Sequence, residues 1–181
     1  ASQLAPICLK LTPICLFFLL FYPYTKGFTF LCHYFLGVAL AMAPAGGYIA
    51  VTGELPFGII LLSGGVCLWI GSFDVIYGSQ DRQFDLDHKL HSMATQFGLA
   101  NAHKIAAFFH FISILCFIGA GIYFDLSFIY YIVVLIAILT LIYQHSLITP
   151  YDFSRLTQVY FMRNGIVSIV IFVFTLIDIL S

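Results

Sequence analysis

The sequence predicts an all-α fold, a polytopic bundle of transmembrane helices, on three observations. Hydrophobic residues make up 62% of the 181 positions and charged residues only 8%, whereas about a quarter of a soluble domain is charged. The mean hydropathy is +1.05. The apolar residues form about six segments of membrane-spanning length, and the connectors between them alternate in charge. We therefore expect residues 1–181 to form a single integral membrane domain.

The six segments follow from the requirement of roughly 20 apolar residues for each crossing. Thr12-Pro13 has the pattern of an N-cap followed by a first-turn proline, which predicts that the first helix begins near residue 12. Small residues such as Gly37 and Ala41 allow helices to approach closely, as a bundle requires. The segments lie at about 4–24, 29–50, 56–78, 103–123, 127–148 and 164–180.

Positive charges concentrate in the connectors on one side of the predicted bundle, whereas the opposite connectors hold only Glu54 and Asp125. By the positive-inside rule, the cation-rich side faces the cytoplasm. We therefore expect an integral protein of the cytoplasmic (inner) membrane, with its active-site loops facing the cytoplasm. The cations of that side are Lys26, Arg82, Lys89, Lys104, Arg155 and Arg163.

Composition also argues against several kinds of site. A net charge of −1 and seven scattered Lys and Arg residues argue against a nucleic-acid surface. The five cysteines lie in apolar surroundings without a C-x2-C pair, so they are expected to be small buried hydrophobes. Four histidines lack the convergent partners of a zinc site, and we expect them to be solvated or to cap helices. These are His88, His91, His103 and His110.

The third segment leads into a stripe of oxygen-bearing side chains. On a helix that turns about 100° per residue, Asp74, Tyr77, Asp81 and Asp85 share one narrow face. Three carboxylates on one face repel each other unless a cation lies among them, and Mg²⁺ or Ca²⁺ prefers such oxygen ligands. A solvated face is the alternative, but it does not suit Asp74, which is still inside the apolar run. The first hypothesis is therefore a metal site.

Two cations are expected near this stripe. Lys26, in Tyr22-Pro23-Tyr24-Thr25-Lys26, lies on the same predicted side as Asp81. It can neutralise a phosphate oxygen as a point charge or serve as an interfacial anchor beside the aromatic belt. Arg82 can contact a phosphate or screen the carboxylates. Both residues are candidate phosphate ligands.

The connector at about 79–102 is too polar for lipid and too long for a simple turn, and sites concentrate in such loops. Its apolar residues recur at helical spacing, which predicts one amphipathic helix over the mouth of the bundle, either a lid or a surface-seated helix. These residues are Leu86, Leu90, Met93, Ala94 and Phe97.

Carboxylates, Mg²⁺ and a few cations at a membrane surface indicate a diphosphate substrate whose apolar tail remains in lipid. Mg²⁺ lowers the barrier by stabilising charge on the departing diphosphate. Departure from an allylic carbon leaves a carbocation that an electron-rich ring can attack. The residues therefore indicate a reaction class as well as a ligand.

The acidic stripe resembles a known motif. Asp74-x2-Tyr77-x3-Asp81-x3-Asp85 is similar to the second aspartate-rich motif of the UbiA superfamily of intramembrane prenyltransferases. Tyr22-Pro23-x2-Lys26 and Ala43-Pro44 also resemble that family, and the resemblance covers nearly the whole chain. Within the family, the sequence looks most like 4-hydroxybenzoate polyprenyltransferases and the similar enzymes proposed for the futalosine route to menaquinone.

This resemblance implies a nine-helix fold with a cytosol-facing cavity, in which two Mg²⁺ ions bridge a diphosphate to two aspartate-rich motifs. The implied activity is transfer of a polyprenyl group from an allylic polyprenyl diphosphate to an aromatic acid, either 4-hydroxybenzoate or a dihydroxynaphthoate, in ubiquinone or menaquinone biosynthesis. It implies Asp81 and Asp85 as metal ligands, Asp74 and Tyr77 as catalytic side chains of the deeper cavity, and Lys26 and Arg82 as diphosphate contacts.

The family's first aspartate-rich motif has no counterpart here. Asp74 and Asp85 are also separated by about 16 Å along a helix, so these carboxylates cannot all close on one ion. We therefore expect an N-terminally incomplete chain that lacks roughly three helices and one metal-binding wall, and that is inactive alone.

The sequence is also compatible with other functions. A divalent-cation channel or carrier would also place acids within the membrane. Within the family, homogentisate or haem is an alternative acceptor. A phosphotransferase acting on CDP-activated alcohols would need a D-G-x2-A-R core, which the sequence lacks.

Overall fold

The structure is a computed structural model that describes residues 6–154, 156 and 162–180. The side chains of Arg155 and Arg163, two of the predicted cytoplasmic cations, lie outside the described part. Two 3₁₀ helices span Tyr22–Gly27 and Ser79–Asp81. The α-helices are α1 (Pro6–Phe21), α2 (Cys32–Thr52), α3 (Phe57–Gly78), α4 (Arg82–Asp87), α5 (Met93–Phe97), α6 (Leu99–Tyr123), α7 (Phe128–Leu147) and α8 (Met162–Leu180).

Among the described residues, five helical stretches are long and apolar enough to cross a membrane. They coincide with the first five predicted segments, so the predicted fold class is confirmed. The sixth predicted segment is also helical, as α8, and its apolar stretch among the described residues is Ser168–Ile177. The five stretches are Pro6–Gly27, Cys32–Thr52, Phe57–Asp87, Leu99–Tyr123 and Phe128–Leu147.

The first helix begins earlier than predicted. It starts at Pro6 and contains Pro13, so the predicted start near residue 12 was wrong. The Thr12 hydroxyl donates to the Cys8 carbonyl at 2.8 Å, back into the preceding turn, instead of capping a new N-terminus. The N-cap signal was overridden for a physical reason: in apolar surroundings the backbone satisfies its own hydrogen bonds, which favours continuation of the helix.

The central helix is α3, which shares its largest interfaces with α2 and α6. A Cβ at Gly37 of α2 would fall on the Cys67 carbonyl oxygen of α3, so the two backbones lie in direct contact there. On another side, the Ser113 hydroxyl of α6 donates to the Gly65 carbonyl at 2.7 Å. Small residues thus hold α3 tightly between its neighbours.

Connectors that follow one another along the chain lie at opposite ends of the bundle, as the sequence predicts. One buried cluster joins the C-terminal end of α3, α5, the start of α6 and the segment after α7. We call this the acidic end, because it also carries Asp74, Asp81 and Asp85. The turns that follow α2 and α6 lie at the opposite end, where the rings of Tyr48 and Phe124 are 6.2 Å apart. The cluster comprises Val75, Ile76, Met93, Ala94, Ala102, Ala106, Ile148 and Leu156.

The connector at the acidic end contains two short helices, α4 and α5, so the prediction of one amphipathic helix was wrong. The chain breaks between them where Lys89 adopts a left-handed φ of 55°. Ser92 and Thr95 then form a reciprocal capping box that starts α5. Met93 and Ala94, the first two residues of α5, are buried, with 3% and 1% of their surface exposed. The connector therefore packs into the bundle as two separate pieces.

The histidines divide into two groups. His88 is exposed and its Nδ1 lies 2.9 Å from the Phe84 carbonyl, as predicted for a capping residue. For His103 and His110 the prediction was wrong, because both are buried. His110 links three helices, with Nδ1 at 2.9 Å from His145 Nε2 and Nε2 at 3.2 Å from the Trp69 carbonyl. His110 thus joins α6 to α7 and α3 inside the bundle.

The α2–α3 contact can be tested with two substitutions in α2. We expect Gly37→Ala to lower the free energy of unfolding by about 1–3 kcal/mol, because the new methyl group meets backbone that cannot move aside. The control is Gly46→Ala, where nothing lies within 4 Å of the added Cβ. Denaturant unfolding in detergent measures both. Equal stability of the two variants would contradict the close approach.

Candidate functional site

Asp85 lies at the centre of the acidic end and is fully buried. Its Oδ1 is 2.7 Å from Lys26 Nζ, and the lysine side chain remains 28% exposed. Apart from this ion pair, neither Oδ1 nor Oδ2 has a hydrogen-bond partner among the described residues. The His91 backbone N–H donates to the Lys26 carbonyl at 2.7 Å, so the connector is fastened beside the ion pair.

A local change in the helix separates Asp74 from the two later acids. The 3₁₀ helix Ser79–Asp81 lies between α3 and α4. A 3₁₀ helix turns about 120° per residue instead of 100°, so its three residues rotate Asp81 and Asp85 together by roughly 60° relative to Asp74. Of these two acids, Asp81 is exposed to solvent, whereas Asp85 is buried. The predicted stripe is therefore split rather than presented on one narrow face.

Asp74 forms a second pair, with a residue that the sequence reasoning missed. His33 Nδ1 lies 2.7 Å from Asp74 Oδ2, and the two side chains are 5% and 29% exposed. The available signal was position: His33 is an ionisable residue within a predicted span, and such residues are functional candidates by default. The two buried or half-buried carboxylates of the acidic end thus each face a basic side chain.

The remaining predicted site residues lie close to these pairs. Tyr77 is 39% exposed and its ring stacks on Phe73, with centroids 6.0 Å apart. Arg82 donates from Nε to the Ala94 carbonyl at 3.0 Å, which ties α4 to α5. Arg82 therefore holds the connector in place, and Lys26 holds Asp85.

An apolar cavity of about 880 Å³ lies deeper in the bundle. Ile70 lines it and precedes Asp74 by four residues, so the two side chains share a face of α3, one turn apart. One face of α3 therefore runs from an apolar cavity into the carboxylates. The other lining residues include Tyr48, Leu62, Val66, Trp69, Phe117, Phe124, Tyr130, Val134, Ser168, Ile171 and Thr175.

Chemically, this arrangement suits an amphiphile that has an apolar chain and a charged head group. The apolar chain would contact the cavity, and the head group would meet both acidic and basic side chains at the acidic end. Within the described residues, no three His, Cys, Asp or Glu side chains converge tightly enough to hold a metal ion. The head group, or further side chains, would have to complete any such ion's coordination.

The helical bundle and its acidic end define a class, an integral membrane protein with carboxylates at the rim of an apolar cavity. Residues 1–166 match the UbiA prenyltransferase family. The chain belongs to this family.

Similar proteins agree with this assignment. The chain is 29% identical to 4-hydroxybenzoate octaprenyltransferase of Nitrosospira multiformis, over 95% of this chain and 59% of that protein. It is 31% identical to the protein of that name from Hydrogenovibrio crunogenus, over 87% and 54%. The apo structure of a UbiA homolog from Aeropyrum pernix K1 matches with a TM-score of 0.86 and 25% identity, over 98% of this chain and 66% of that one. The chain thus spans less than two thirds of these relatives.

The Lys26–Asp85 pair generates a stability prediction. Lys26→Met leaves a buried carboxylate without its counter-charge, and we expect a loss of about 3 kcal/mol, the lower end of the range for a broken buried pair because Lys26 still touches water. Lys26→Met combined with Asp85→Asn should recover at least half of that loss. Unfolding in detergent compares the two. A double variant less stable than the single one would contradict the assignment of a buried charge.

Proposed function

We propose that this chain forms part of a membrane-embedded enzyme that transfers a polyprenyl group from an allylic polyprenyl diphosphate to an aromatic acid in quinone biosynthesis. The observation that carries the proposal is the face of α3 that passes from the apolar cavity at Ile70 to the carboxylate of Asp74. A prenyl diphosphate has the same polarity along its length. Membership of a prenyltransferase family supports the same proposal.

The proposed acceptor is 4-hydroxybenzoate, with a dihydroxynaphthoate as the second candidate. Relatives named 4-hydroxybenzoate octaprenyltransferase support the first of these. In either case the acceptor is an electron-rich ring that carries a carboxylate. It would meet the prenyl diphosphate at the acidic end, where the cationic and hydrogen-bonding side chains lie.

We propose Asp81 and Asp85 as ligands of Mg²⁺. Their donor set fits this ion, which usually takes one or two carboxylates together with substrate phosphates and water. Asp85 Oδ2, which has no hydrogen-bond partner in the part of the chain that the structure describes, is a spare acceptor, and Asp81 is open to solvent. When bound, Mg²⁺ would stabilise negative charge on the departing diphosphate.

The basic side chains have roles that follow from their contacts. Lys26 neutralises Asp85 and keeps 28% of its side chain exposed, so it can turn to a diphosphate oxygen while remaining at the same rim. Arg82 lies beside Asp81 and can contact the diphosphate through guanidinium nitrogens other than the Nε that binds Ala94. Asp74 and Tyr77 shape the deeper part of the site, where the reacting carbon would lie.

We also propose that the family's first aspartate-rich motif comes from polypeptide outside these 181 residues, and that the 181 residues alone are inactive. The described residues lack a convergent group of three potential metal ligands. The chain also covers 54% to 60% of the length of three proteins named 4-hydroxybenzoate octaprenyltransferase, from Nitrosospira multiformis, Hydrogenovibrio crunogenus and Vibrio campbellii. Prenyl transfer by the purified 181-residue chain would refute this proposal.

The metal assignment predicts a contrast between neighbouring carboxylates. We expect Asp81→Asn and Asp85→Asn each to reduce prenyl transfer by the natural protein by more than the roughly 100-fold that loss of an outer-shell partner can cost. Asp87→Asn is the matched control, because Asp87 is exposed and accepts a hydrogen bond from Gln83. Product formation from farnesyl diphosphate and 4-hydroxybenzoate, measured with and without Mg²⁺, tests the set. Natural rates in both ligand variants would end the assignment.

We propose that the acidic end faces the cytoplasm, because Lys26, Arg82, Lys89 and Lys104 all belong to it. Single cysteines can test this in a variant without the five native ones. We expect Glu54→Cys to be labelled by an impermeant maleimide only from the external side, and His88→Cys only from the cytoplasmic side. Both positions are exposed. Sealed vesicles of known orientation give the readout, and the reverse pattern would invert the topology.

A further inference from the structure

His33 is held in one orientation by its surroundings. It lies in the first turn of α2, and its Nδ1 is 2.7 Å from Asp74 Oδ2. On its other side the ring lies against Gly78, where an added Cβ would be 2.7 Å from His33 Cε1. The backbone of Gly78 is ordinary right-handed helix, with φ −68° and ψ −12°. Space for the imidazole, rather than conformational freedom, is therefore what this glycine provides.

The pair has an inner and an outer member. The His33 side chain is 5% exposed and that of Asp74 is 29% exposed. His33 Nε2 is buried without a hydrogen-bond partner among the described residues. The imidazole therefore lies behind the carboxylate and reaches the site only through it. Asp74 is the more exposed member of the pair, and its Oδ2 is the oxygen that faces His33.

Asp74 also occupies a defined level in the bundle. It lies one helical turn beyond Ile70, which lines the apolar cavity, and about two turns before Asp81. In a prenyl diphosphate bound along this face, the carbon that reacts is the one that joins the apolar chain to the diphosphate. A prenyl diphosphate bound in this way would place that carbon near the level of Asp74.

We propose that Asp74 is the base for prenyl transfer and that His33 is the positioning residue that orients it, an inference that rests on the proposed function. The C–O bond of the prenyl diphosphate breaks and its electron pair leaves with the diphosphate. An electron pair from the aromatic ring forms the new C–C bond. The electron pair of the C–H bond at that ring carbon then returns to the ring and restores aromaticity, and the proton passes to Asp74 Oδ1. The His33 Nδ1–H bond to Oδ2 keeps Oδ1 turned toward the acceptor.

The test compares two nearly isosteric replacements in the natural protein. Asn retains a donor close to the position of His33 Nδ1, whereas Leu has the same shape without the donor. We expect His33→Leu to lower kcat about 10- to 100-fold, the usual cost of losing an orienting partner, and His33→Asn to lower it less. Mg²⁺-dependent binding of farnesyl diphosphate should be the same in both. Equal kcat values for the two variants, or a natural kcat in the Leu variant, would overturn the inference.

An isotope effect separates proton removal from general damage to the fold. With 4-hydroxybenzoate deuterated at the ring positions next to the hydroxyl, we expect His33→Leu to show a larger kinetic isotope effect than the natural protein, because a misoriented base makes C–H cleavage limit the rate. An unchanged isotope effect in a slowed His33→Leu variant would overturn the role of His33. Failure of the natural protein to form any product would instead count against the proposed function.

A second variant reaches the imidazole without replacing it. Gly78→Ala introduces a methyl group that displaces the His33 ring. We expect it to slow prenyl transfer and to raise the isotope effect in the natural background, and to have little further effect when combined with His33→Leu, which lacks the ring. Additive losses in the combined variant would contradict the action of Gly78 through His33.

Discussion

A carboxylate removed from water must meet a counter-charge, and this constraint organises the acidic end of the protein. Asp85 is fully buried and lies 2.7 Å from Lys26. Asp74 is half-buried and lies at the same distance from His33. An unpaired buried charge costs several kcal/mol, so the segments that carry the bases must lie beside the segment that carries the acids. The 3₁₀ helix Tyr22–Gly27, α2, α3 and α4 are held together at this end for that reason.

Close helix approach makes these pairs possible. Three glycines lie where α2 and α3 are in contact. Gly37 of α2 lies against Cys67 of α3. Gly71 and Gly78 of α3 lie against Tyr34 and His33 of α2. Side chains at the glycine positions would push the helices apart and separate His33 from Asp74. The connector adds a second restraint, because the His91 N–H binds the Lys26 carbonyl. Movement of the connector is thereby linked to the cation that neutralises Asp85.

The ion pairs also change how the acidic stripe is interpreted. Mutual repulsion of three carboxylates was the reason for expecting a metal, yet the chain itself supplies Lys26 for Asp85 and His33 for Asp74. The persistence of these acids therefore does not by itself require an ion. Support for a divalent metal ion comes from the family of prenyltransferases to which the chain belongs and from the exposed carboxylate of Asp81. The Asp85 Oδ2 atom, which has no hydrogen-bond partner among the described residues, adds to it.

The sequence by itself determined the class of fold, the positions of the first five long helices and the end of the bundle that carries the acids, because hydropathy, helix length and charge alternation are local properties. Only the tertiary structure decided which base meets which acid. His33 and Asp74 are 41 residues apart, and no local pattern relates them. It also decided that Asp85 is buried, because Lys26, the cation that lies against its carboxylate, comes from a segment that is distant in the sequence.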